Sequence, residues 1–172
     1  MPMKNKKMYL SLLCVAVLAL QVAAVSTNDW TVMSQGGSKM NYGLWKTCMK
    51  TGGITPITAN VCIDLPPKAS LDKNFKKNSL YAARVLAVLG PVLVAVALLN
   101  MYMKPLATKW NCALLLAGAL ASLVAMAVWA AEMMNPDKGG GGNPKGSPGY
   151  SFYLNLAGGV LGLVAAWVCY KQ

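Results

Sequence analysis

Apolar positions in this chain gather into four runs, at 8–25, 80–99, 112–131 and 152–169, separated by segments rich in lysine, glycine, proline and serine. Each run has about the 20 residues that an α-helix needs to cross a hydrocarbon layer roughly 30 Å thick. Backbone in lipid has no water to bond, so such a run must satisfy its own amides and carbonyls. Of the charged residues only Arg84 falls inside a run, as the cost of an ionised group in hydrocarbon requires. The pattern predicts four transmembrane helices in one domain covering 1–172, with connections at 26–79, 100–111 and 132–151.

The connection at 26–79 has a different period. Strand-like pieces at 30–33 and 42–49 are punctuated by Gly36-Gly37, Gly52-Gly53 and Pro66-Pro67, which predicts a small antiparallel sheet. The connection at 132–151 carries Gly139-Gly140-Gly141-Gly142 among prolines and polar residues, a composition that reads as a flexible connector. Lys4, Lys6 and Lys7 ahead of an apolar run also resemble a cleavable leader; we keep the run as the first of four spans.

Composition sharpens the picture. Hydrophobic residues make up 56% of the 172, charged residues 12%, and histidine is absent, which places the chain in the membrane class. The segments 1–7, 100–111 and 170–172 hold Lys4, Lys6, Lys7, Lys104, Lys109 and Lys171 with no acid. All five acids, Asp29, Asp64, Asp72, Glu132 and Asp137, lie in the other two connections. Basic density therefore predicts cytoplasmic termini and an outer loop at 26–79. Attraction of the inner lysines to anionic headgroups accounts for part of the net charge of +11. No aromatic-interleaved basic patch points to nucleic acid.

Thirteen residues separate Cys48 from Cys62 in the outer loop. A disulfide there fits an oxidising compartment, and closing about 15 residues contributes roughly 3 kcal/mol in the chain-entropy model. Trp30 and Trp45 share that loop and suit a bilayer boundary. Gly158, Gly162 and Ala166, like Ala117, Ala121 and Ala125, recur every four residues and read as stripes for close helix packing within the bundle. Arg84, about one turn into its run, reads as an anchor between helix end and sheet.

Taken together, Trp30, Gly43-Leu44-Trp45, Cys48 and Cys62, with Ala82-Ala83-Arg84 opening the second run, resemble the signature of claudins and the related peripheral myelin and epithelial membrane proteins. The resemblance implies a left-handed four-helix membrane bundle carrying an extracellular sheet of about five strands, with Cys48 and Cys62 bridged. It implies contact and barrier rather than chemistry, and it places a charge-selecting residue near Asp64, with Lys46 and Lys50 beside it. It also makes Cys169 a candidate for palmitoylation.

Several departures from that family stand out. The cysteine spacing is longer, no Asn-X-Ser/Thr sequon occurs, and the chain stops at Tyr170-Lys171-Gln172, so no terminal scaffold-binding tail is expected. With no histidine, scattered acids and no Cys-X-X-Cys, neither enzymatic activity nor any cofactor or metal is expected. Two roles survive: a plasma-membrane protein of cell–cell junctions that associates laterally with itself, or an accessory subunit of a larger membrane complex.

Overall fold

The computed structural model describes residues 3–35, 38–51, 60–64, 77–103, 108–134 and 146–171. The Gly36-Gly37, Gly52-Gly53 and Pro66-Pro67 breaks, Asp72, Lys104 and the glycine-rich 135–145 lie outside the described residues. Helix α1 (Met3–Ser26) leads into strands β1 (Thr31–Gln35), β2 (Ser38–Tyr42), β3 (Lys46–Thr51) and β4 (Asn60–Asp64). Helices α2 (Lys77–Met103) and α3 (Thr108–Met133), strand β5 (Ser147–Pro148) and helix α4 (Tyr150–Tyr170) complete the chain.

All four helices are long and apolar enough to cross a membrane, and only 28–39% of each span is buried inside the bundle. The rest points outward through residues such as Leu12, Val85, Leu116 and Val160, all at least 45% exposed. A helix that is apolar on every side is stable only where its surroundings are apolar too, which here means lipid.

Close packing without a hydrophobic driving force needs small residues. Gly118 of α3 approaches α2 so nearly that a Cβ on it would stand 2.9 Å from the Gly90 carbonyl oxygen. On α4, Gly158 meets the Gln21 side chain of α1, and Gly162 meets Ala119 of α3. Gly158, Gly162 and Ala166 are all buried, so that stripe packs inside the bundle. On α3 the expected stripe is only partly inward: Ala121 and Ala125 are buried, whereas Ala117 is exposed. Gly118 and Ser122, one position on, make the contact with α2 instead.

The strands form one antiparallel sheet in the order β4-β3-β2-β1-β5. Two expectations are corrected. The piece 42–49 is not one strand, because Gly43-Leu44-Trp45 turn the chain between β2 and β3, with the Gly43 amide donating to the Lys46 carbonyl at 2.9 Å. The end of the second loop is no free connector either. Ser147 and Pro148 pair with Val32 and Thr31, and the Gly149 amide donates to the Trp30 carbonyl at 2.9 Å. A Cβ on Gly149 would collide with the Asp29 carbonyl, so only glycine fits that approach.

Candidate functional site

The sheet sits on one end of the bundle through a cluster formed by Trp30, Leu44, Leu80, Ala83 and Trp129. Trp30, the residue immediately before β1, is fully buried. Its indole N–H donates to the Ala24 carbonyl at 2.8 Å, one of the last carbonyls of α1 that helix geometry leaves unpaired. Its ring meets Trp129 of α3 edge-to-face, centroids 5.5 Å apart. Trp129 in turn donates from its indole to the Thr31 hydroxyl at 2.9 Å. Two large aromatic rings thus join helix ends to β1, each with its polar edge satisfied.

The Gly-Leu-Trp turn clamps the sheet from the other side. A Cβ on Gly43 would stand 2.5 Å from the Asn28 Cα, so the turn can press on the connection between α1 and β1 only without a side chain there. Leu44 is fully buried beneath it. Trp45 is 42% exposed and donates from its indole to the Val25 carbonyl at 3.0 Å. Sequence reasoning treats Trp30 and Trp45 as boundary residues alike; the structure separates them into an interior residue and a rim residue. Cys48 and Cys62 stand opposite each other on β3 and β4, Cα atoms 4.1 Å apart, and are joined as a disulfide.

Side chains alternate across a strand, so the pairing register sorts the sheet into two faces. One face carries Lys39, Lys46, Lys50 and Asp64 around the disulfide. Lys46 pairs with Asp64 across β3 and β4 at 3.3 Å, while Lys39 and Lys50 stand opposite each other as like charges. The other face begins at buried Thr31 over the helices and ends beyond them in Met49, Val61 and Ile63, which are 38%, 54% and 66% exposed. Those three form an apolar patch at β4, the edge strand of the sheet among the described residues.

Two further candidates have defined places in the fold. Cys169 is buried, 1% exposed, and its sulfur is joined to that of Cys112, tying α4 to α3 at the end away from the sheet. Arg84 stands about two turns into α2. Among the described residues it makes no ion pair, and its buried Nε has no hydrogen-bond partner.

Several structural residues escape sequence reasoning. Gln21 Nε2 donates to the Ser122 hydroxyl at 2.9 Å, and Asn155 Nδ2 donates to the Ser122 carbonyl at 3.0 Å, binding α1, α3 and α4 through fully buried groups. Ser151, at the start of α4, shares a 2.7 Å hydrogen bond with the Thr27 hydroxyl and donates its amide to the Asp29 carbonyl. The available signal was polarity within an apolar run, since an amide in lipid must find a partner.

Comparison with family models matches residues 7–168 to that of the PMP-22/EMP/MP20/Claudin family. No individual curated protein matches. A match over nearly the whole length agrees with four membrane-length helices, a five-stranded antiparallel sheet and a disulfide between neighbouring strands. The chain belongs to the PMP-22/EMP/MP20/Claudin family.

Proposed function

We propose that this protein acts at cell–cell contacts of the plasma membrane, associating side by side into a claudin-like barrier with ion preference and no catalytic step. The observation that carries this reading is the patch of Met49, Val61 and Ile63 at β4, the edge strand of the sheet among the described residues. Exposed apolar groups at an edge strand favour burial against another surface. The patch projects beyond the bundle on the helix-directed face, where a laterally adjacent copy would meet it. Basic termini support their cytoplasmic location, with the sheet outside.

Expressed alone in cells without junctions, the chain is expected to form continuous strands visible by freeze-fracture. Val61→Lys with Ile63→Lys should abolish the strands while surface delivery stays unchanged. A dispersed wild-type protein that co-purifies stoichiometrically with a foreign membrane protein would overturn this reading in favour of an accessory subunit.

The polar face of the sheet supports an anion preference, because three lysines share it with one aspartate. Asp64 already neutralises Lys46. Asp64→Asn frees that ammonium, so dilution potentials across expressing monolayers should shift further toward chloride over sodium. An unchanged ratio would remove this face from the conduction path.

A further inference from the structure

We propose that the cleft between α1 and α2 binds one membrane phospholipid, its acyl chain in the cleft and its phosphate on Arg84. Near the sheet end a groove of about 470 Å³ lies between these helices. Val22 and Val25 of α1, Val88, Pro91 and Ala95 of α2, and Trp45 line it, and its walls are almost wholly apolar. Pro91, inside α2, stands in the wall of this groove and lacks the amide that would continue the helix ladder.

Arg84 lies on the same stripe of α2, since 84, 88, 91 and 95 follow the i, i+4, i+7, i+11 spacing of one helix face. From Arg84 to Ala95 the stripe runs about 16 Å at 1.5 Å per residue, roughly one leaflet of a 30 Å hydrocarbon core. Helical side chains lean toward the helix N-terminus, so the guanidinium rises toward the sheet end of the bundle, where headgroups lie. Exposed Tyr81, three residues earlier, adds a hydroxyl at the same level.

Charge complementarity selects the occupant. Arg84 is the one cation inside the four apolar runs, and among the described residues its guanidinium has no acid and its buried Nε no acceptor. A planar fork of donors without a partner matches a phosphate geometrically, and a guanidinium–phosphate pair is among the stronger hydrogen-bonded contacts. Hydrocarbon in the groove and phosphate on Arg84 are the two halves of one molecule.

The test uses the full chain, purified in mild detergent and examined by native mass spectrometry with phosphatidylglycerol and with diacylglycerol of the same acyl chains. Wild type should retain one phosphatidylglycerol at least tenfold over diacylglycerol. Arg84→Gln should bring the two to parity, Arg84→Lys should keep part of the preference, and Ala95→Trp should lose both lipids. Circular dichroism establishes that each variant keeps its helices; if Arg84→Gln does not fold, Arg84→Lys and Ala95→Trp decide. Equal retention of both lipids by wild type, an undiminished preference in the folded Arg84 variants, or lipid retention unaffected by Ala95→Trp would overturn the proposal.

Discussion

Replacing Trp30 by alanine is expected to cost about 3–5 kcal/mol and to leave most of the protein short of the cell surface. The indole is fully buried, caps a carbonyl at the end of α1 and packs edge-to-face on Trp129. Truncation opens a cavity under the sheet, takes the shorter of two hydrogen bonds from the Ala24 carbonyl and removes the wall against which Trp129 presents its N–H to Thr31. Trp30→Phe separates these contributions. It keeps much of the ring and loses the hydrogen bond, so its cost should fall well below that of alanine. Thermal unfolding in detergent, read beside surface biotinylation, measures both; a Trp30→Ala variant that melts and traffics like wild type would show that the seat of the sheet lies elsewhere.

Removing the bridge between β3 and β4 is expected to have the next largest effect. Cys48→Ser with Cys62→Ser should destabilise the sheet by roughly 3 kcal/mol in the chain-entropy model for a loop of about 15 residues. The β3–β4 hairpin carries its side chains largely in water: Val61, Cys62, Ile63 and Asp64 are all exposed. Little burial therefore compensates when the bridge is lost. The helices should persist, because their contacts lie in lipid and in the bundle interior. Limited proteolysis should then cut the β3–β4 region quickly while helix content by circular dichroism stays constant. Equal protease resistance with and without the bridge would place the hairpin's stability in its backbone ladder.

Reading the chain without coordinates succeeded where one physical rule acts on contiguous residues. The four helices follow from the impossibility of leaving backbone amides unpaired in lipid, and that constraint needs only length and polarity to be recognised. The pairing of Cys48 with Cys62 was equally legible, since two cysteines close in sequence and outside the membrane have few other partners. Failures came where distance along the chain hides neighbourhood. Cys112 and Cys169 are 57 residues apart, and nothing local says that their helix ends meet. Ser147 and Pro148 look like the tail of a flexible loop, yet they complete a sheet that begins 116 residues earlier.

The sequence by itself determined the four spans, the presence of a stapled sheet between the first two, and the family whose signature Trp30, Gly43-Leu44-Trp45, Cys48, Cys62 and Arg84 resemble. Tertiary structure alone decided what those residues do. It buried Trp30 and left Trp45 at a rim, set Lys46 against Asp64, gave Cys169 to Cys112, and formed an apolar groove between α1 and α2. The reason is that hydropathy sorts residues between lipid and water one segment at a time. Partnership depends on which segments pack together, and that is fixed only when glycine contacts such as Gly90 with Gly118 set how closely the helices approach.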